Sequence, residues 1–171
     1  VLISADEPGQ HSSQNEQDNR NYAPFAKIPM FEPSNSQECI DMLKAAYEVS
    51  EKYDTPVLFR TTTRVNHSKS IVELGDRVEI EPKAYKKDAA KNVMVPANAR
   101  QRRAVLEERM EALKEYSEKT PFNFIEKGGR IGVVVSGLAY HFAKEVFGDE
   151  ATYLKLGFTN PLPEKLLAEF M

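Results

Sequence analysis

The sequence has one cysteine, no tryptophan and no long apolar run, and these absences exclude several classes of protein. Among its 171 residues, Cys39 is the sole cysteine, so the chain cannot form an internal disulfide, a cysteine-based zinc site or an iron–sulfur cluster of its own. No apolar run approaches the roughly 18 residues that span a bilayer, and no signal peptide opens the chain. We therefore expect a cytoplasmic protein with no membrane partner.

The chain also lacks an excess of positive charge. It has 23 Lys and Arg against 26 Asp and Glu, a net charge of −3, which disfavours a nucleic-acid binder. Residues 83–103 are a local exception, with seven basic residues and one acidic residue. Because Tyr85 is the only aromatic residue there, stacking on bases is poorly supported. This basic tract fits the acidic surface of a protein partner better, and we predict no nucleic-acid partner.

Short apolar segments alternate with helical patterns, which predicts an α/β fold with a parallel sheet. Polar residues at 34–36, followed by Glu38, predict a capped helix that ends near residue 53. A charged helix is predicted over 97–119 and another helix between Gly137 and Gly148, and a last helix follows Pro163. The predicted strands cover residues 1–5, 27–31, 57–60, 131–135 and 152–156. The predicted inner face of the helix before Gly148 consists of Leu138, Phe142 and Val146.

Two α/β units joined by a linker account for this pattern. The predicted divisions are residues 1–65, a linker with a long charged helix over 66–124, and residues 125–171. The chain opens inside a strand pattern and stops inside an apolar helix pattern. We therefore expect it to be an internal piece of a longer protein.

A polar loop follows the first predicted strand, where parallel sheets place their ligands. Residues 11–20 contain no apolar side chain, whereas a segment that merely covered the sheet would need an apolar stripe. His11 is a possible general acid or base, and Arg20 has the planar fork that binds a carboxylate through two hydrogen bonds. A solvated surface loop with local capping bonds explains the same residues equally well.

Other candidate residues have ordinary explanations that we favour. The segment 61–64 lies at the end of a strand and the pair 136–137 precedes a helix, so both could face a ligand. Threonines are common in strands, however, and serine is a common helix cap. Cys39 is expected to be a small buried apolar residue. Neither His67 nor His141 has a partner at ligand spacing, so we predict no metal site.

Several segments together resemble one enzyme family. They are SADEPGQHSSQNEQDNR at 4–20, AKIPM at 26–30, TPVLFRTTTR at 55–64, GVVVSGLAY at 132–140 and LKLGFTNPLP at 154–163. With these segments the sequence resembles the alpha subunits of indolepyruvate:ferredoxin oxidoreductases, which are thiamine-diphosphate-dependent 2-oxoacid:ferredoxin oxidoreductases. The resemblance implies that residues 1–65 are the second half of a pyrimidine-binding α/β domain and that residues 125–171 begin a transketolase C-terminal-type domain.

The resemblance implies oxidative decarboxylation of aryl 2-oxoacids such as indolepyruvate to acyl-CoA, with electrons passing to ferredoxin. The implied cofactors are thiamine diphosphate, Mg²⁺ and [4Fe–4S] clusters, and the implied partners are a beta subunit, ferredoxin and coenzyme A. The chain lacks the family's cofactor-activating glutamate, its magnesium–diphosphate motif and its cysteine-rich segment. We therefore expect that the isolated chain binds none of these cofactors and is inactive alone.

The resemblance also implies roles for residues of the polar loop. Arg20 looks like the arginine that reaches the substrate's carboxylate or carbonyl oxygen in related pyruvate enzymes, and His11 looks like a second catalytic residue. Ser12, Gln14 and Asn15 look like substrate-binding residues of the same loop. The alternative is a non-catalytic interaction module, in which residues 83–119 dock another subunit and the polar loop is ordinary surface.

Overall fold

The computed structural model describes residues 1–11 and 13–171, and within these the chain forms a mixed α/β structure with two sheets. The predicted α/β class is therefore confirmed. The strands are β1 (Leu2–Asp6), β2 (Met30–Phe31), β3 (Leu58–Thr62), β4 (Asn123–Glu126), β5 (Ile131–Ser136), β6 (Ala151–Leu156) and β7 (Phe158–Asn160). The helices are α1 (Tyr22–Ala26), α2 (Ser36–Tyr53), α3 (Thr63–His67), α4 (Ala89–Asn92), α5 (Pro96–Lys119), α6 (Ala139–Phe147) and α7 (Glu164–Phe170).

The first sheet has the strand order β1-β3-β2-β7, and its first three strands are parallel. The register places Leu58 of β3 between Leu2 of β1 and Met30 of β2. The carboxyl ends of these three strands therefore meet at one edge of the sheet, where parallel α/β sheets bind ligands. Strand β7 pairs antiparallel with β2 at the other side.

The second sheet has the order β4-β6-β5, in which β5 and β6 are parallel and β4 is antiparallel to β6. Only Gly157 separates β6 from β7, so the chain passes directly from one sheet to the other. A Cβ atom at Gly157 would lie 2.4 Å from Cε of Met42 and 2.9 Å from the carbonyl oxygen of Phe122. The close approach of these groups requires glycine at this crossing.

Helices α2 and α5 cover one face of the first sheet. Phe31 and Phe158 meet edge to face with ring centroids 4.9 Å apart, and Tyr116 of α5 packs on Phe158 at 5.1 Å. Such edge-to-face pairs stabilise a core beyond the area that they bury. The buried core cluster consists of Phe31, Met42, Ala46, Val49, Val57, Phe59, Leu113 and Phe158.

The predicted cap of α2 is confirmed. The Asn35 side chain accepts a hydrogen bond from the backbone N–H of Glu38 at 2.9 Å. The Glu38 carboxylate in turn accepts hydrogen bonds from the backbone N–H and the hydroxyl of Ser34, both at 2.8 Å. This reciprocal pattern satisfies N–H groups that the first turn of a helix otherwise leaves unpaired.

One predicted helix face is wrong. Phe142 and Val146 of α6 are 53% and 73% exposed, respectively, rather than packed inward. Helix α6 instead contacts the second sheet through Tyr140, whose ring meets that of Tyr153 edge to face at 6.0 Å. The Tyr153 hydroxyl also donates to the backbone carbonyl of Ala143 at 3.3 Å. These contacts turn the apolar side of α6 away from the sheet.

The predicted division into residues 1–65, 66–124 and 125–171 stays a prediction, and β7 of the third segment pairs with β2 of the first. Residues 68–88 contain no helix or strand and lie beside α2. Lys83 of this segment pairs with Glu51 of α2, and Lys91 of α4 pairs with Asp54 at 2.7 Å. Part of the basic tract is therefore neutralised within the chain. None of the helices in residues 1–11 and 13–171 is long and apolar enough to cross a membrane.

Candidate functional site

A cavity of about 290 Å³ lies where the carboxyl ends of β1, β2 and β3 meet the turn between β5 and α6. Both sheets contribute to it, and most of its polar side chains come from strand ends and the loops that follow them. The lining residues are Pro8, His11, Arg20, Glu32, Pro33, Arg60, Thr62, Thr63, Arg64, Ser136, Gly137, Leu138, Ala139 and Phe142.

Two lining residues at the base of the cavity, Glu32 and Arg60, belong to a buried triad, defined here as Asp6, Glu32 and Arg60. The three residues are 1%, 2% and 8% exposed, respectively. The Arg60 guanidinium donates to the Asp6 carboxylate at 2.6 Å and to the Glu32 carboxylate. Asp6 ends β1, Glu32 directly follows β2 and Arg60 lies in the middle of β3. Because these strands are adjacent, the sheet order itself assembles the triad.

Asp6 also ties the polar loop to the sheet. Its carboxylate accepts hydrogen bonds from the backbone N–H groups of Glu7 and Asn19, both at 2.9 Å. The Asn19 side-chain amide donates to the hydroxyl of Ser4 at 2.7 Å. The loop therefore leaves and returns to the same strand end, which brings Arg20 to the cavity.

Arg20 lines the cavity but already has a carboxylate partner. Its guanidinium donates two hydrogen bonds to Asp18, each 2.8 Å long. These hydrogen bonds lower the pKa of Asp18 to about 2, and the same contact raises the pKa of Arg20. The two side chains are 40% and 61% exposed, respectively, so this ion pair lies at the rim of the cavity.

The other predicted loop residues separate into two groups. His11 is exposed and lines the cavity. Gln14 and Asn15 are exposed and are not among the lining residues; their carbonyl groups accept local hydrogen bonds from Gln10 and Ser13, at 3.3 and 3.0 Å. Ser12 lies outside the residues that the structure describes. The roles predicted for all five loop residues stay predictions.

Two segments that we treated as ordinary structure lie in the cavity. The strand end at 61–64 contributes Thr62, Thr63 and Arg64 to its lining, and the pair 136–137 closes the opposite side. The guanidinium carbon of Arg64 lies 5.9 Å from the ring centroid of Phe142 on α6. Helices α3 and α6 therefore meet at this contact.

Behind the wall formed by α6 lies a second polar cluster. Lys155 is 2% exposed; it pairs with Glu38 of α2, and its ammonium nitrogen lies 4.9 Å from the ring centroid of Tyr140. Burial lowers the pKa of Lys155 to about 8. The Tyr140 hydroxyl donates to Glu126 at 2.5 Å, and burial together with this carboxylate raises the pKa of Tyr140 to about 12. These contacts fix α6 against α2 and the second sheet.

Sequence reasoning missed the buried triad and the position of Phe142. The available signal was a charged residue at or just after the end of each of three apolar strands. Among residues 1–11 and 13–171, no group of three or more His, Cys, Asp or Glu is arranged to hold a metal ion. Cys39 is half-buried, and burial raises the pKa of its thiol.

The fold and the cavity together define a class of protein. Arg20 of the polar loop, Arg60 of β3 and Arg64 of α3 line a cavity at the carboxyl ends of parallel strands, which is the edge where open α/β sheets bind small ligands. Arginine forks recognise carboxylates and phosphates. The chain is therefore an α/β protein with an arginine-lined cavity at this edge.

Comparison with curated proteins identifies the relatives of this chain. It is 43% identical over 178 residues to the indolepyruvate oxidoreductase subunit IorA of Methanothermobacter marburgensis and 44% identical over 179 residues to that of Methanothermobacter thermautotrophicus. It is 37% identical over 177 residues to the IorA subunit of Archaeoglobus fulgidus. The alignments cover 100% of this chain but only 28–29% of each relative. No protein-family model matches the chain.

This similarity confirms the resemblance to indolepyruvate oxidoreductase subunits. Six curated relatives with this name match the chain, at identities between 37% and 44%. The chain spans less than a third of their length, so the similarity concerns one segment of these subunits.

Proposed function

We propose that this chain forms part of a 2-oxoacid oxidoreductase subunit and that its cavity binds the substrate. The relatives are named for indolepyruvate, so the proposed substrate is an aryl 2-oxoacid of that kind. The proposed reaction of the intact enzyme is oxidative decarboxylation to acyl-CoA, with electrons passing to ferredoxin. The proposed partners are a beta subunit, ferredoxin and coenzyme A.

The observation that carries this proposal is the convergence of cationic and apolar groups in one cavity. Arg20 and Arg64 line it and suit the carboxylate of a 2-oxoacid. Pro33 and Leu138 line the same space and suit an aromatic side chain. Ligand pockets commonly combine an apolar lining with a few polar groups in this way.

His11 and Arg20 are the proposed catalytic residues of this chain. His11 carries an imidazole, which can both accept and donate a proton, and it lies exposed at the cavity. It is therefore the residue that we propose to exchange a proton with the substrate's oxygen atoms. Arg20 is proposed to contact the same oxygen atoms when it releases Asp18.

We propose that thiamine diphosphate, Mg²⁺ and the iron–sulfur clusters are bound by other parts of the intact enzyme. The single cysteine of this chain cannot hold a [4Fe–4S] cluster. The absence of a grouping of three or more His, Cys, Asp or Glu side chains within residues 1–11 and 13–171 is in keeping with this proposal for Mg²⁺. The contribution of this chain is to bind and orient the 2-oxoacid.

Filling the cavity tests the proposed function. In the intact enzyme, Ala139→Trp is expected to raise the KM for indolepyruvate by about tenfold or more, because an indole ring takes up space that the substrate needs. Ala168→Trp on α7 is the matched control, since Ala168 is exposed and lies outside the cavity lining. Equal KM values for the two variants would contradict a substrate site here.

Arg20→Ala tests the residue predicted from the sequence. The loss of a charge-assisted contact is expected to lower kcat/KM by about tenfold or more. Arg77→Ala is the control, because Arg77 is 84% exposed and pairs with Glu79 away from the cavity. Unchanged kinetics for Arg20→Ala would remove Arg20 from the site.

The isolated chain provides a separate test of the cofactor assignment. We expect no heat of binding when thiamine diphosphate and Mg²⁺ are titrated into it, because its sequence lacks the family's cofactor-activating glutamate and magnesium–diphosphate motif. Micromolar binding in calorimetry would contradict this assignment.

A further inference from the structure

The three arginines that line the cavity, Arg20, Arg60 and Arg64, differ in their ion-pair partners. Arg60 lies between the carboxylates of Asp6 and Glu32. Arg20 is held by both oxygens of Asp18. Among the residues that the structure describes, no carboxylate lies within ion-pair distance of Arg64, although it lines the same cavity. Of the three arginines, it is therefore the one whose positive charge has no carboxylate partner among residues 1–11 and 13–171.

The position of Arg64 is nevertheless well defined. It is the second residue of α3, directly after the end of β3, and the next residue, Val65, is 6% exposed and anchors this turn. Its guanidinium lies over the Phe142 ring, 5.9 Å from the ring centroid. An aromatic ring attracts a cation without neutralising its charge. Phe142 can therefore orient the guanidinium while leaving its N–H groups available to an anion.

The contacts that each arginine already makes determine how much free energy it loses when it turns to a ligand carboxylate. Arg20 must break two hydrogen bonds to Asp18 before it can offer its fork to a ligand. Arg60 is 8% exposed, and removing its partners would leave two buried carboxylates unpaired. Arg64 has no carboxylate to release within the part of the chain that the structure describes, so a ligand displaces only the water around its guanidinium. A charge-assisted bond to a carboxylate therefore adds to its existing contacts rather than replacing one.

We propose that Arg64 is a carboxylate-binding residue of this cavity and that Phe142 is its positioning residue. This inference rests on the proposed function, because it takes the anion to be the carboxylate of the 2-oxoacid. The apolar lining at Leu138 and Pro33 then faces the remainder of the substrate. Because Arg64 also contacts Phe142 of α6, the proposed ligand would lie between α3 and α6.

Substitution of Arg64 in the intact enzyme tests the proposal. Arg64→Ala is expected to raise the KM for indolepyruvate by about 10- to 100-fold, the range that the loss of a charge-assisted hydrogen bond gives. Arg64→Lys keeps the charge without the planar fork and is expected to show a smaller rise. Arg77→Ala is the control for the loss of an exposed arginine.

A neutral inhibitor separates carboxylate binding from a structural role. The amide of indolepyruvate keeps the ring and the keto group but has no carboxylate. Its inhibition constant is expected to change less than threefold in Arg64→Ala. A loss of amide binding as large as the loss of substrate binding would overturn the proposal.

The role of Phe142 has its own readout. Phe142→Leu is expected to raise KM by about two- to fivefold with kcat unchanged, because an exposed cation–π contact contributes little free energy. Phe142→Tyr keeps the ring and is expected to restore the KM. A change in kcat alone would overturn the positioning role.

The outcomes also distinguish this inference from the function on which it rests. If Ala139→Trp raises KM while Arg64→Ala behaves like Arg77→Ala, the cavity binds the substrate and the inference about Arg64 is wrong. If neither Ala139→Trp nor Arg64→Ala alters KM, the proposed function is wrong as well.

Discussion

The base and the rim of the cavity use the same residue type for different purposes. Arg60 at the base is 8% exposed and lies between two carboxylates. Arg64, four residues later at the rim, is exposed; its guanidinium lies against the Phe142 ring and has no carboxylate partner among the described residues. The compensated charge of Arg60 therefore holds the strands together, whereas the charge of Arg64 remains available. Strand β3 thus carries a structural arginine, and the helix that follows it carries the arginine that we propose to bind the ligand.

Removing Arg60 should have the largest effect on stability. Arg60→Met is expected to lower the free energy of unfolding by about 3–5 kcal/mol, because Asp6 and Glu32 are then buried without their cation. Urea unfolding of the chain measures the change, with Arg77→Met as the exposed control. A loss below about 1 kcal/mol would contradict a structural role for the base of the cavity.

Asp6→Asn should have an intermediate effect that extends to the polar loop. The amide places a donor where the carboxylate accepts three hydrogen bonds, so we expect a loss of about 2 kcal/mol. The backbone amide of Asn19 should also exchange its hydrogen faster, since Asp6 is its acceptor. Asp76→Asn, at an exposed position, is the control. Unchanged exchange at Asn19 would show that Asp6 does not hold the loop.

The Asp18–Arg20 ion pair at the rim should have the smallest effect on the free energy of unfolding, and this effect should change only at acidic pH. The pKa of Asp18 is about 2 in the folded chain against an ordinary 3.8, so its contribution is present above pH 4 and is lost as the pH falls towards 2. Because both partners are exposed, we expect at most about 0.5 kcal/mol. Unfolding free energies at pH 4 and pH 2 should differ less in Asp18→Asn than in the unaltered chain. An identical difference in both would contradict the contribution of this pair.

Much of the fold was predictable from local patterns. Helices α2 and α5 follow from apolar spacing and end signals, and the predicted strands correspond to β1, β2, β3, β5 and β6. Strands β4 and β7 were missed because four and three residues carry too little alternation to identify them. The inward face of α6 was wrong because Tyr140 packs on the sheet and Phe142 faces the cavity.

The site was predictable only where its residues are close in sequence. An uninterrupted polar loop after a strand indicated His11 and Arg20, and both line the cavity. The buried triad joins residues 6, 32 and 60, which become neighbours only through the strand order β1-β3-β2. The contact between Arg64 and Phe142 depends on how the two sheets meet. No local sequence pattern predicts how the two sheets are placed relative to each other.

Site-resolved arginine modification tests the central claim most directly. The intact enzyme would be treated with phenylglyoxal, with and without saturating indolepyruvate, and labelling at each arginine quantified by mass spectrometry. The account predicts that substrate protects Arg64 and leaves the labelling of Arg77 unchanged. Equal labelling of Arg64 with and without substrate would contradict it.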